Sequence, residues 1–185
     1  NIPRPAALVV TPALGQCRAM NDVTEHVITG GDVLVDTLIA HGVDTAFTVS
    51  GESFLAVLEA LRRKRNQISL ITARHEGGGS FATEAYGKLT GRPAALFVSR
   101  GPGATNAAIG VHTAKQDCSP MLLFVGHVPS TSQGREAFQE INQAAMFTPI
   151  AKAVLQPNST DQVADIMALA VTRSSFFATF GIEAL

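Results

Sequence analysis

Two rhythms alternate along this chain: short continuous apolar runs, and longer stretches whose apolar residues recur three and four positions apart. Leu34, Val35, Leu38 and Ile39 share one helical face behind Gly30-Gly31-Asp32, and Gly42 ends that helix as a C′ glycine should. Thr45 to Val49 reads as a buried strand, and Gly51 turns the chain into a second helix with Phe54, Leu58 and Leu61 on one side. Ile68 to Thr72 is the next strand. Arg74-His75-Glu76-Gly77 leads from it into a helix with Phe81, Ala82, Ala85, Tyr86 and Leu89 as its apolar face, closed by Gly91. A third strand, Ala94 to Ser99, is followed by the turn Gly101-Pro102-Gly103 and a helix from about Ala104 to Lys115. Met121 to Val125 is a fourth strand. A Ser-, Thr- and Gly-rich loop then precedes a short helical stretch near Glu140 to Phe147 and a strand at Ile150 to Leu155. Ser159 or Thr160 caps a last helix with Val163, Ile166, Met167 and Ala170 inward.

Near-continuous apolar strands alternating with helices predict an α/β fold, a doubly wound, mostly parallel sheet with helices on both faces. Residues 1–19, with Pro3, Pro5 and Pro12, read as an N-terminal extension ahead of a natural start at Met20, and 20–185 as a single domain. Ligands of such sheets bind outside the carboxyl ends of the strands. Three turns fall there: Gly51-Glu52-Ser53, Arg74-His75-Glu76 and Gly101-Pro102-Gly103-Ala104-Thr105-Asn106.

Composition sharpens this picture. Charged residues are only 16% of the chain, against about 25% in an average soluble protein, so part of the exterior is expected to lie against a partner. Basic and acidic residues number 14 and 15, which excludes the basic excess of a nucleic-acid footprint. No run approaches the roughly 18 apolar residues of a membrane span. Cys17 and Cys118 have no metal-ligand spacing and read as unpaired thiols of a reducing, cytoplasmic setting.

Taken singly, the turns are ambiguous. Gly101-Pro102-Gly103 before a helix can cradle an anion, yet it lacks the phosphate-loop and dinucleotide fingerprints, and a plain tight turn is an equal reading. The basic run Arg62-Arg63-Lys64-Arg65 closes a helix, where cations complement the dipole. Glu76 stands between a strand end and a helix start and is followed by Gly77, Gly78 and Gly79, so a flat ligand can approach it closely. A carboxylate there also stabilises the helix N-terminus by itself.

Several motifs in order decide between these readings. Arg74-His75-Glu76-Gly77-Gly78, Ala85-Tyr86, Thr90-Gly91 and Gly101-Pro102-Gly103-Ala104-Thr105-Asn106 together resemble the N-terminal pyrimidine-binding domain of thiamine-diphosphate-dependent enzymes. Asp117-Cys118-Ser119-Pro120, Gly126 and Ala137-Phe138-Gln139-Glu140 are similar to the acetolactate synthase branch, and the resemblance runs from about Gly31 to Leu155. It implies that Glu76 is catalytic, hydrogen-bonding a ring nitrogen of the cofactor's aminopyrimidine. A carboxyl group in a dry crevice can share a proton there and so drive loss of the thiazolium carbon proton. Gly51, Glu52, Pro102, Gly103 and Asn106 are implied to border the cofactor with Glu76, and Phe138 and Gln139 the substrate side.

The resemblance further implies thiamine diphosphate as cofactor, a small 2-oxo acid as substrate, a homo-oligomer, and possible use of FAD in the full enzyme. Magnesium would be bound by a diphosphate-binding domain of the same or a second chain, because the GDG motif of that domain does not occur here. The expected unit is thus a pyrimidine domain, truncated or naturally split from its partner, with no metal site and no activity of its own. Glu52 stands where the synthases carry a second glycine, Gly77 where glutamine is common, Arg100 where a small hydroxyl residue is common, and His127 where glutamine is frequent. Another thiamine-diphosphate lyase or decarboxylase, including a split-subunit decarboxylase, remains an alternative reading. So does a non-catalytic binding or assembly domain of the same fold.

Overall fold

The computed structural model describes residues 27–157, 159–174 and the backbone of 178–182. The extension expected over 1–19, with Cys17, lies outside the described residues.

Thr29 opens α1 (Gly30–Ala40) through a capping box, its hydroxyl accepting from the Asp32 amide at 3.2 Å while Asp32 Oδ2 accepts from the Thr29 amide at 2.9 Å. The chain then runs through β1 (Thr45–Thr48), a single 3₁₀ turn (Glu52–Phe54), α2 (Leu55–Arg63), β2 (Ser69–Thr72), α3 (Glu76–Thr90), β3 (Ala94–Val98), α4 (Gly101–Asp117) and β4 (Met121–Gly126). α5 (Gln143–Phe147), β5 (Val154–Leu155), α6 (Val163–Ser174) and β6 (Ala178–Ile182) complete it. The six strands pair in the order β2-β1-β3-β4-β6-β5, and every pairing is parallel. One apolar layer joins α1, α2 and α6 to Ala46, Phe97 and Phe124, whose side chains leave one face of the sheet. The other joins α4 and α5 to Phe47, Leu96, Leu123 and Val125. The expected doubly wound α/β fold is therefore present.

Several sequence expectations are corrected. α4 begins at Gly101 and not near Ala104, because Pro102 sits in its first turn, where a missing N–H costs nothing. The strand expected over Ile150 to Leu155 is only Val154–Leu155, since Ile150 and Ala151 both donate their amides to the Phe147 carbonyl. β6 is a strand that the sequence reading did not anticipate; it is fixed by main-chain pairing between β4 and β5. β2 is an exposed edge strand, with Leu70 and Ile71 open to solvent.

The largest correction concerns α3. Phe81 and Leu89, expected inside, are exposed, and Leu89 is 86% so. The buried face is made instead of Gly77, Gly79, Ser80, Thr83, Glu84 and Gly87. Small residues let α3 and α4 approach closely: Ser80 Oγ donates to the Ala107 carbonyl at 2.7 Å, and a Cβ on Gly110 would overlap Ser80. Farther along, Gly87 lies against the Pro120 carbonyl and Ser119 Oγ donates to the buried Glu84 carboxylate at 2.7 Å. The Asp117-Cys118-Ser119-Pro120 motif is thus a clasp at the end of α4, with Cys118 in the left-handed region at φ 54° and its thiol free.

The basic run at the end of α2 is ion-paired, Arg62 with Glu59, Arg63 with Asp32 and Glu59, and Lys64 with Asp36. Hydrogen bonds from Arg62 hold the Glu59 carboxyl down to about 2.

A Cβ at Gly87 meets a backbone carbonyl that cannot swing aside. Gly87→Ala should therefore destabilise the domain by at least about 2 kcal/mol. Gly78→Ala, with nothing within 4 Å of its new methyl group, should be neutral or stabilising by about 0.5 kcal/mol. Chemical denaturation of both variants checks this, and equal effects would contradict it.

Candidate functional site

The connections from β1 run outward to β2, whereas those from β3 run the other way to β4. The switch point of the topology is therefore the pair β1 and β3, and a crevice opens beyond their carboxyl ends. Gly51-Glu52-Ser53 and Ser99-Arg100-Gly101 form its two lips, and the start of α3 stands beside it.

Glu76 is the first residue of α3. His75 caps the helix in an extended conformation, its Nδ1 accepting from the Gly77 amide at 3.1 Å, which sets Glu76 at the positive end of the helix dipole. Asn106, on α4, donates its side-chain amide to Glu76 Oε2 at 2.9 Å. The other carboxylate oxygen, Oε1, faces Gly103: a Cβ built there would lie 3.6 Å from Oε1, 3.6 Å from Ser99 Cβ and 3.3 Å from Val98 Cβ. Absence of a side chain at Gly103 thus lets the first turn of α4 pack closely against Val98, Ser99 and Glu76. Pro102 is exposed on the same helix turn. Glu76 is half-buried and Asn106 exposed, so the dry crevice expected around this carboxyl is not closed by the described residues.

On the other lip Gly51 packs on Ser99, and Ser53 Oγ lies 3.2 Å from Ser99 Oγ. Glu52 turns its carboxylate to Arg100, Oε1 accepting from Nη1 at 2.7 Å. Arg100 Nε also donates to the His127 carbonyl at 3.4 Å. The structure therefore brings Glu76, Gly103 and Asn106 together directly, and connects Gly51 to them through Ser99. Glu52 instead belongs to a separate ion pair.

The Ala137-Phe138-Gln139-Glu140 motif is a loop clamp. The Gln139 carbonyl accepts from the Gly101 amide at 2.9 Å, fixing the loop to the first turn of α4, with Gln139 itself left-handed at φ 62°. The Glu140 carboxylate accepts from the amides of Gly134 at 2.6 Å and Ala137 at 3.0 Å. Those two amides hold its carboxyl below the ordinary carboxylate value. Phe138 is 73% exposed, which excludes ordinary core packing for it. A cleft of about 540 Å³ lies behind this loop, lined by His127, Glu140 and Gln143 among others, and Glu76 is not among its walls. Among the described residues no cluster of three or more His, Cys, Asp or Glu could hold a metal ion, and no helix is long and apolar enough to cross a membrane.

Sequence reasoning placed Ser53 in a turn and Ser99 at a strand end but foresaw neither their contact nor the pairing of Glu52 with Arg100. Glu52 and Arg100 are 48 residues apart in the chain, and only the adjacency of β1 and β3 makes them neighbours.

Residues 28–146 match the family described as "Thiamine pyrophosphate enzyme, N-terminal TPP binding domain". This chain belongs to the thiamine pyrophosphate enzymes. Within that family it falls in the acetolactate-synthase-like branch. It is 39% identical over 127 residues to the acetolactate synthase large subunit of Parasynechococcus marenigrum, covering 68% of this chain and 21% of that protein. It is 34% identical over 152 residues to the acetolactate synthase of Bacillus subtilis, 82% of this chain and 26% of that one. The large subunit of Lactococcus lactis gives 35% over 157 residues, 85% and 26%. This thiamine pyrophosphate enzyme domain thus spans about a quarter or less of the length of these relatives.

The Glu140 carboxylate stabilises the loop while ionised, because its folded pKa is depressed. That contribution is complete above the ordinary carboxylate value and is lost as pH falls through the lower, folded one. Glu140→Ala should lower the exchange protection factors at Gly134 and Ala137 at least about tenfold, and acidification of the wild type should lower them too once the slower intrinsic exchange is corrected for. Unchanged protection in hydrogen-exchange measurements would contradict the clamp.

Proposed function

We propose that this domain supplies the aminopyrimidine-binding half-site of a thiamine-diphosphate-dependent enzyme of acetolactate synthase type. Such an enzyme decarboxylates a small 2-oxo acid and joins the remaining acyl unit to an acceptor through a new carbon–carbon bond. The observation that carries the reading is the half-buried Glu76 carboxylate, set at the start of α3 and anchored through Oε2 by Asn106 at 2.9 Å.

In this reading a flat aromatic ring lies against the Glu76 carboxylate. Gly103 and the exposed Gly78 present no side chain to crowd it. Glu76 Oε1 is the atom that holds a proton against a ring nitrogen, and Asn106 keeps the carboxyl from turning away. Thiamine diphosphate, when bound, supplies the carbanion that attacks the 2-oxo acid and takes up the electrons released on decarboxylation. Gly51 and Pro102 border the same crevice, and Phe138 and Gln139 approach it from the substrate side.

The crevice is open on one side in the described residues, and Phe81, Leu89 and Ile109 are exposed on α3 and α4. In this reading a diphosphate-binding domain, of the same or a second chain in a homo-oligomer, covers that side and excludes water. The magnesium ion, and any FAD of the whole cytoplasmic enzyme, are held by the remaining domains.

Glu76→Gln keeps the shape of the side chain and removes its ability to hold and return a proton. In the assembled enzyme it should lower turnover at saturating cofactor by at least about a hundredfold. Steady-state decarboxylation of a 2-oxo acid checks this, and turnover close to that of the wild type would overturn the assignment.

A further inference from the structure

Helix α3 begins on an unfavourable sequence. Behind Glu76 its first turn is Gly77, Gly78 and Gly79, and each glycine disfavours a helix relative to alanine by a factor of about five. Glu76 lies in that turn, so the carboxylate is only as well placed as the turn itself. Hydrogen bonds from outside the turn hold it. The Gly79 amide donates to the His75 carbonyl at 3.0 Å, and the Gly77 amide donates to His75 Nδ1 at 3.1 Å. Thr83 Oγ1 donates to the Gly79 carbonyl at 2.7 Å, and Asn106 holds Glu76 Oε2 at 2.9 Å. His75 thus grips the turn twice, once with its backbone and once with its ring.

The side chains most favoured at a helix N-cap accept with an oxygen. His75 accepts with a ring nitrogen, which therefore bears no hydrogen, and the neutral ring carries its proton on Nε2. The opposite tautomer would turn an N–H toward the Gly77 amide and undo the cap. The ring also depends on the glycine it caps. A Cβ built on Gly77 would lie 3.1 Å from His75 Nδ1 and 3.3 Å from its Cε1, tighter than an ordinary contact. Gly77 therefore makes the turn weak and at the same time lets the imidazole close over it.

We propose, resting on the function proposed above, that His75 is the positioning residue for Glu76: its Nε2–H tautomer holds the glycine-built first turn of α3 and so keeps the Glu76 carboxylate on Asn106, beside the cofactor ring. The imidazole acts through the Gly77 amide and not on the cofactor or the substrate. Loss of the cap loosens the turn that carries Glu76 and leaves Asn106, on α4, where it is. The carboxylate then spends less time in its working position, which lowers turnover without changing how the 2-oxo acid binds.

Two variants of this exposed residue separate the ring from its acceptor. His75→Phe keeps a planar ring and has no acceptor, whereas His75→Asn gives up the ring and keeps an acceptor suited to an N-cap. In this chain, nitrogen resonances of the His75 ring should show a bare Nδ1 and a protonated Nε2. His75→Phe should lower the exchange protection factor at Gly77 at least about fivefold and move the Asn106 side-chain amide resonances. His75→Asn should leave both close to the wild type. In the full-length enzyme saturated with thiamine diphosphate and magnesium, His75→Phe should lower kcat for pyruvate decarboxylation about tenfold, with KM for pyruvate within about twofold. His75→Asn should recover kcat to within about twofold of the wild type. A proton on Nδ1, an unchanged kcat in His75→Phe, or equal losses in the two variants overturns the proposal. Absence of thiamine-dependent carbon dioxide release from the wild type overturns the underlying function instead, and with it any role for His75 beside a cofactor; the ring and amide resonances of this chain still decide whether His75 holds Glu76 on Asn106.

Discussion

The close approach of α3 and α4 is the constraint on which the site depends. Glu76 begins one helix and Asn106 lies in the first turns of the other, so their 2.9 Å contact exists only if the helices lie almost backbone to backbone. Gly110 against Ser80 and Gly87 against the Pro120 carbonyl make that approach possible. The Ser80 hydroxyl bonded to the Ala107 carbonyl, and Ser119 bonded to Glu84, satisfy the polar groups that the approach buries. A larger residue at either glycine would part the helices and separate the carboxyl from its anchor.

The charges around the crevice divide the labour. Glu76 is oriented by a neutral amide, the Asn106 side chain, and has no cationic partner in the described ion pairs. Glu52 is bound to a guanidinium, and its carboxyl is held below the ordinary carboxylate value. The two carboxylates thus differ in their partners, a neutral amide for Glu76 and a guanidinium for Glu52. The loop clamp through Gln139 and Glu140 fixes the N-terminal turn of α4, and with it both Arg100 and Gly103, from outside.

Much of this was legible in the sequence. The alternation of apolar strands with helices specifies the doubly wound sheet, and it places Glu76 and the turn at Gly101 to Asn106 at strand ends. Periodicity failed on α3, because its buried face is built of glycine, serine and threonine. Phe81 and Leu89, which carry the apolar signal, point away from the core. β6 escaped for a different reason, since its place in the sheet comes from main-chain pairing between β4 and β5. The Glu52–Arg100 pair escaped because its members meet only through strand order. Motif resemblance singled out Ala137 to Glu140 but gave no hint that this segment holds the start of α4.

The central claim is that this chain carries the ring-binding half of a thiamine diphosphate site and not the half that grips the diphosphate. A titration of the chain with thiamine diphosphate, followed by backbone amide shifts with and without magnesium, tests it most directly. The account predicts shifts at Gly77, Gly103 and Asn106, a dissociation constant of about 1 mM or weaker, equivalent to roughly 4 kcal/mol or less, and no effect of magnesium. Micromolar binding that requires magnesium, or shifts confined to the cleft behind residues 133–144, would contradict it.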